Sequence, residues 1–184
     1  MDPAEVRSYF DFKDVKKGLL ELAQKLFAVT FKKVDAKVWH ESVETYDVFD
    51  RGKRVARFFL DLHPRKGKYG HAAEFPIYTG IPGVQLPTAS LVTNFPNPAK
   101  SDGPALTEHK QVVTFFHEFG HLMHQLLSGK HHWVTQSGIT CEWDFVEAPS
   151  QLLEDWAWSH DVLKTFAKNP KTGKVIPKAL VAKM

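Results

Sequence analysis

The sequence predicts an α+β fold that is mainly helical and carries a small antiparallel sheet. Apolar residues recur at helical spacing between Val15 and Leu26, and a longer helical pattern covers residues 108–128. Between them, two segments rich in β-branched and aromatic residues flank the turn at residues 50–53, which is typical of a β-hairpin. With 43% hydrophobic and 24% charged residues, the 184-residue chain suits one folded domain with a core.

The first half of the chain is expected to contain helices and then strands. Asp2-Pro3 followed by Glu5 is typical of a helix start, and two helices are expected before about Ala28. The hairpin follows. Residues 65–83 are interrupted by Gly and Pro, which predicts a loop region with little regular structure, and residues 89–95 predict one more strand.

The second half is predicted to be helical. Thr107 is a plausible N-cap for a helix over residues 108–128, and Gly129 is placed to end it. Apolar residues surround this helix on most sides, which indicates that it is buried. A second long helix is expected over residues 143–167, in which Pro149 is tolerable only near the first turn, and a last helix over residues 176–184.

Composition excludes several classes of function. The net charge of +3 comes from scattered basic residues, so we expect no nucleic-acid partner. No run of eighteen apolar residues exists and the first residues lack the apolar core of a signal peptide, so we expect no membrane association and a cytoplasmic location. The single cysteine, Cys141, excludes an internal disulfide framework.

The helix over residues 108–128 contains the pattern H-E-x-x-H at residues 117–121. Histidines four residues apart lie one turn apart on the same face, so His117 and His121 can direct ring nitrogens at one zinc ion. Glu118 points to the side of such an ion, where it can deprotonate a water. The pattern therefore predicts a zinc site with Glu118 as its general base.

A catalytic zinc has three protein ligands and one open position, so a third ligand is required. The metzincin arrangement is excluded, because it needs a glycine in place of His124 and a histidine in place of Leu127. The ligand must then come from a following helix, whose sequence offers four acids: Glu142, Asp144, Glu147 and Glu154.

Glu147 is our choice among these acids. Asp144, Gln151 and Glu154 lie three residues before, four after and seven after it, which places all four side chains on one polar stripe. The same pattern also fits a solvated helix face, or a capping box in which Asp144 caps the helix and Glu147 turns back to its backbone. The spacing alone leaves these interpretations open.

His124 lies one further turn along the stripe that carries the two histidines. It is interpreted either as a core histidine with a satisfied ring, or as a partner of Glu142 or Glu154 that helps to orient the metal ligands. His131 and His132 are expected at the surface.

Two blocks, HEFGHLMHQLLS and DFVEAPSQLLEDW, resemble the thimet oligopeptidase and oligopeptidase A family of zinc peptidases. Further similar segments, FFLDLHPRKGKYGHAAEF and LVTNFPNP, occur in the expected order, so the resemblance covers most of the chain. It implies one zinc ion held by His117, His121 and Glu147, with Glu118 as general base. It also implies that residues 1–184 form a single zincin-like catalytic core, truncated at both ends relative to the family.

The implied activity is hydrolysis of internal bonds in short peptides by a zinc metalloendopeptidase. Gly70, His71, Ala72 and Ala73 are candidates to border the peptide groove, with a role in the loop as the equal alternative. The family's tyrosine and histidine donors to the oxyanion follow the second block at a distance this chain does not reach, so slow turnover is expected. The alternative is a zinc-stabilised fragment that binds peptides without turnover. Surfaces exposed by truncation are expected to favour a homo-oligomer.

Overall fold

The computed structural model of the chain describes residues 2–184. Within these residues there are six α-helices: α1 (Pro3–Arg7), α2 (Phe12–Phe27), α3 (His109–Leu127), α4 (Ala148–Glu154), α5 (His160–Phe166) and α6 (Lys178–Val181). The same residues form one sheet of five strands: β1 (Thr30–Val34), β2 (Glu44–Asp50), β3 (Lys53–Asp61), β4 (Ala73–Tyr78) and β5 (Thr88–Val92). The predicted α+β class, the two helices before Ala28 and the hairpin of β2 and β3 are confirmed.

The sheet is mixed, with the strand order β1-β2-β3-β5-β4. Three neighbouring pairs are antiparallel, but β3 and β5 run parallel, with Arg57 opposite Thr88 and Asp61 opposite Val92. The expected antiparallel arrangement therefore holds for three pairs and is wrong for β3 and β5. Strand β5 lies between β3 and β4, although β4 precedes it in the chain. It runs antiparallel to β4 and parallel to β3.

The edge strand β4 lies inside the segment that was predicted to be a loop. Pro76 suggested a break, because proline lacks the N–H that a central strand requires. Since β4 is at the edge of the sheet and its register with β5 shifts between Pro76 and Tyr78, the proline is tolerated there. Strand β1 was also not anticipated, because its mostly exposed residues show no clear alternation of buried and exposed positions.

Helix α3 packs across the sheet and is the centre of the core. Phe119 meets Phe58 of β3 edge to face at 6.0 Å between ring centroids, and Phe115 lies 5.1 Å from Phe95, just after β5. All four rings are at most 4% exposed. This burial, worth roughly 1.5–3 kcal/mol for each large apolar side chain, holds the helix at the sheet.

The ends of α3 lie within one residue of the predicted bounds. Its N-cap is Glu108 instead of Thr107, because the Glu108 carboxylate and the Gln111 side chain form a reciprocal capping box. Gly129 follows the C-cap, as predicted, but has no left-handed φ angle. A Cβ there would lie 3.1 Å from the Cα of Gly80, so the absence of a side chain serves close packing.

The long helix expected over residues 143–167 is broken in two. Residues 143–147 form turns, α4 then ends at Glu154, and a single 3-10 turn at Asp155–Ala157 separates it from α5. The ring of His109 donates to the carbonyl of Ala157 at 2.8 Å, so this carbonyl is satisfied from outside the helix. Pro149 lies in the first turn of α4, where proline is tolerated. No helix in the described part of the chain has the length and apolarity needed to cross a bilayer.

Candidate metal and peptide site

Three atoms that could ligate a metal ion converge between α3 and α4. Nε2 of His117 lies 3.2 Å from Nε2 of His121, and Oε2 of Glu147 lies 3.2 Å and 3.1 Å from these two nitrogens. The histidines lie one turn apart on α3, and Glu147 is the N-cap residue of α4. The structure thus joins two residues of one helix to an acid 26 or more positions further along the chain.

This donor set fits a tetrahedral zinc ion. Bonds of about 2.0–2.1 Å at such an ion separate the ligand atoms by about 3.3–3.4 Å, close to the observed spacing. Two imidazoles and one carboxylate are also a ligand set typical of catalytic zinc sites. The carboxylate side chain is 50% exposed, against 24% for His117 and 13% for His121, so the donors open to solvent on the side of Glu147.

The close approach of the two helices depends on Gly120, which lies between the histidines. A Cβ at Gly120 would lie 2.6 Å from the Cα of Ser150 and 2.8 Å from the carbonyl oxygen of Pro149. Both contacts are with the backbone of α4. Glycine inside a helix costs about 0.8–1.0 kcal/mol relative to alanine, so its presence here indicates that close packing is needed.

Two of the donors are oriented by neighbouring side chains. Nδ1–H of His117 donates a hydrogen bond to Oε1 of Glu154, which leaves the Nε2 lone pair directed at the other donors. The Ser150 hydroxyl donates to Oε2 of Glu147 at 2.8 Å. This hydrogen bond and then the nearby histidines hold the pKa of Glu147 below its ordinary value, despite the opposing effect of burial. Both contacts favour the protonation states that bind a metal.

Glu118 lies beside the donors and contacts β4. Its Oε2 accepts a hydrogen bond from the backbone N–H of Glu74 at 3.1 Å. Burial, and then the negative charge of Glu118, raise the pKa of the Glu74 carboxyl from 4.5 to about 8. Oε1 of Glu74 is buried without a hydrogen-bond partner among the described residues. At neutral pH, Glu74 is therefore largely a neutral acid next to the proposed general base.

The segment that leads into β4 is anchored by an ion network. Asp61 binds both guanidinium nitrogens of Arg65 at 2.6 and 2.7 Å, and accepts from the indole of Trp39 at 2.9 Å. The ammonium of Lys68, whose side chain is 3% exposed, donates to the carbonyls of Asp61 and His63. Burial alone would raise the pKa of Asp61, but these partners bring it down to about 2. The network holds this segment at the end of the sheet.

Comparison with known proteins identifies the family of this chain. The model of peptidase family M3 matches residues 1–184. The chain belongs to peptidase family M3. It is 43% identical to a thimet-like oligopeptidase of Dictyostelium discoideum, over 97% of the chain and 28% of that relative. It is 35% identical to saccharolysin of Saccharomyces cerevisiae and 34% identical to oligopeptidase A of Escherichia coli, each over 98% of the chain and 27% of the relative. The chain thus spans about a quarter of the length of the curated relatives it matches.

The other residues singled out from the sequence of this M3 chain lie at varying distances from the donors. Glu154 reaches His117, but His124 hydrogen-bonds to neither Glu154 nor Glu142. Nδ1 of His124 is buried without a partner in residues 2–184, and its ring lies 6.5 Å from that of Phe145. Glu142 is exposed, before α4. The capping box between Asp144 and Glu147 is absent from the described residues, since α4 begins at Ala148.

The residues expected to border a peptide groove immediately precede Glu74, whose N–H binds Glu118. Ala73 opens β4 opposite Val92, one residue before the N–H that binds Glu118. Gly70 and Ala72 line a small cavity beside it, and His71 is exposed. The role of all four in binding peptides stays a prediction.

Sequence reasoning missed two residues of this site. Gly120 carried a signal, because glycine inside a helical pattern that is otherwise continuous requires a packing reason. Glu74 carried a weaker signal, because it is an acid between Ala and Phe in a segment that was expected to be a loop. Its contact with Glu118 joins residues 44 positions apart, which no local pattern reveals.

The raised pKa of Glu74 predicts a pH dependence of stability in the metal-free protein. The folded chain holds this proton up to pH about 8, whereas the unfolded chain releases it near 4.5. The contribution of Glu74 to the free energy of unfolding is therefore at its full value below pH 4.5 and is lost as the pH rises to about 8. Glu74→Gln cannot ionise, so we expect this variant to gain stability over the wild type across that window.

Urea unfolding at pH 5, 6, 7 and 8 after chelator treatment measures this difference. Glu41→Gln, at an exposed glutamate, serves as the matched control and should follow the wild type at every pH. If the curves of Glu74→Gln and wild type stay parallel from pH 5 to 8, Glu74 ionises normally in the folded chain.

Proposed function

We propose that this chain is the zinc-binding catalytic core of a metalloendopeptidase that hydrolyses internal bonds of short peptides. The observation that carries the proposal is the triangle of donor atoms from His117, His121 and Glu147, with edges of 3.1–3.2 Å and Glu118 beside it. Membership of peptidase family M3 supports a metallopeptidase. The names of the relatives support oligopeptides as the substrates.

His117, His121 and Glu147 would hold the ion. When bound, zinc supplies a Lewis acid that polarises the scissile carbonyl and makes the attacking water more acidic. Glu118 takes a proton from that water and later passes it to the nitrogen of the leaving amine. Because the N–H of Glu74 binds Oε2 of Glu118, the other carboxylate oxygen is available to the water.

Strand β4 provides one wall of the proposed peptide groove. It is the last strand in the sheet order, so only its inner edge pairs with β5 within the described residues. An extended peptide can add to such an edge through main-chain hydrogen bonds. Since Glu74 of β4 contacts Glu118, a peptide along this edge would pass the general base, with Gly70 to Ala73 at one end of its path.

Zinc quantification tests the metal site directly. We expect one zinc per chain by elemental analysis after loading and dialysis, and a lower melting temperature after chelation. Glu147→Gln should lose most of the bound zinc, because the amide is a poorer ligand than the carboxylate. Asp155→Asn changes an exposed acid on the same segment and should keep full loading. Equal zinc content in wild type and Glu147→Gln would overturn the ligand set.

The expected homo-oligomer and cytoplasmic location stay predictions. Several large apolar side chains are exposed, including Trp133 at 71%, Trp143 at 91% and Leu152 at 67%. Such a surface favours association, and size-exclusion chromatography with light scattering would detect it.

A further inference from the structure

A small cavity lies beside the proposed catalytic residues, between α3 and the segment that leads into β4. Its volume is about 160 Å³, and its lining includes Ala72, Asn94, Phe95, Gln111 and Thr114. None of the residues that line it is charged. The ring of Phe95, 4% exposed, supplies an apolar wall, whereas the two amide side chains supply polar ones.

The cavity is one helical turn from the general base. Thr114 precedes Glu118 by four residues of α3, which corresponds to about 6 Å along the helix axis. Ala72 precedes Glu74 by two residues, and two residues of extended chain span about 6.6–6.8 Å. An extended peptide would cover the same distance with two residues. A side chain entering the cavity would therefore belong to a residue within about two positions of the cleaved bond.

The two amides that line the cavity have their orientations set by hydrogen bonds. Oε1 of Gln111 accepts from the hydroxyl of Thr107 at 2.7 Å and from the N–H of Glu108 at 3.1 Å. Nδ2 of Asn94 donates to the carbonyl of Tyr69 at 2.9 Å. These bonds leave Nε2 of Gln111 as a donor and Oδ1 of Asn94 as an acceptor. The two lining residues thus have one amide donor and one amide acceptor that no hydrogen bond among the described residues uses.

We propose that this cavity is a subsite that binds a side-chain carboxamide, Asn or Gln, of the peptide substrate. The inference rests on the proposed function. The oxygen of the carboxamide accepts from Gln111, and its NH₂ group donates to Asn94. A carboxylate has no hydrogen to give to Asn94, and an ammonium cannot accept from Gln111, so a charged side chain leaves one of the two amide groups without a hydrogen-bond partner. Alanine fills little of the volume and makes neither bond.

Gln111→Glu tests the subsite with almost no change of shape. A carboxylate at this position still accepts from Thr107 and Glu108 and still completes the capping box, since Glu and Gln both serve there. The NH₂ group becomes a second acceptor oxygen and the side chain gains a negative charge, so the donor is lost while the shape is kept. The folded state should therefore be kept, which thermal unfolding checks.

The measurement is peptide affinity by isothermal titration calorimetry, on zinc-loaded protein that carries Glu118→Gln to prevent cleavage. One peptide scaffold carries Gln, Ala or Lys in turn at each of the two positions on either side of the bond that the wild type cleaves. If the wild type cleaves no bond, every position of the peptide is varied in this way. At one position, we expect Gln to bind about tenfold more tightly than Ala. Adding Gln111→Glu should remove this preference, strengthen binding of the Lys peptide and leave the Ala peptide unchanged.

The outcomes separate the subsite from the catalytic proposal. If Gln111→Glu weakens all peptides equally or none, or if no peptide binds, the subsite is wrong.

Thr114→Leu fills the cavity and should lower the affinity of the Gln peptide while sparing the Ala peptide. An equal loss for both peptides would also count against the subsite. Selective binding by a chain that cleaves no peptide would keep the subsite and overturn catalysis. Cleavage without a preference for Gln would keep the catalytic proposal and overturn the subsite.

Discussion

Glu118→Gln is expected to lower the rate of peptide hydrolysis by about 10²–10⁴-fold while zinc stays bound, because general base catalysis contributes about that factor. The amide keeps the shape of the side chain and can still accept the N–H of Glu74, but it cannot take a proton from water. None of the three proposed ligands is altered. The loss should therefore fall on kcat, with little change in KM or in zinc content.

A quenched fluorescent peptide assay of zinc-loaded wild type, Glu118→Gln and the control Asp155→Asn measures this effect. The control removes one negative charge from an exposed residue and should cleave at the wild-type rate. If wild type and Glu118→Gln release product equally slowly while both hold one zinc, the chain binds the metal without turnover. That result would favour the alternative of a zinc-stabilised peptide-binding fragment.

Gly120→Ala is expected to damage both stability and the metal site, although alanine is the better helix former. Its Cβ would lie 2.6 Å from Cα and 3.1 Å from the backbone nitrogen of Ser150. No flexible side chain can move aside, so α4 must shift away from α3. Such overpacking costs roughly 1–3 kcal/mol, against a gain of about 1 kcal/mol in helix propensity. The shift also moves Glu147, and we expect zinc affinity to fall by at least tenfold.

Urea unfolding of the metal-free protein and competitive zinc titration measure the two effects separately. Gly103→Ala is the matched control, because a Cβ there meets no atom within 4 Å and its φ angle is not left-handed. We expect Gly103→Ala to behave as wild type in both measurements. Unchanged zinc affinity in Gly120→Ala would show that the metal site tolerates a wider spacing of α3 and α4.

The parts of the fold that sequence reasoning predicted correctly are those with local patterns. The buried helix α3 was placed to within one residue at each end, because apolar periodicity and end signals both lie within the segment. The hairpin of β2 and β3 was found from its turn residues. Strand β4 was not predicted, because Pro76 argues against a strand. Proline is acceptable there only because β4 lies at the edge of the sheet.

The residues of the candidate site also divide into those with a local pattern and those joined only by tertiary contacts. His117, Glu118 and His121 were predicted from helical spacing, because four residues make about one turn and place both histidines on one face. Spacing left Glu147 among four acids, and the family resemblance favoured it. The structure alone brings its carboxylate to within 3.2 Å of both histidines.

The sequence by itself determined the helix that carries the two histidines and the glutamate, and the family to which the chain belongs, because both depend on short-range patterns of residues. The tertiary structure decided the rest of the site. The contact of Gly120 with α4, the hydrogen bond from His117 to Glu154 and the approach of β4 to Glu118 all join residues 29 or more positions apart. Such contacts follow from how the core packs as a whole, which no local segment encodes.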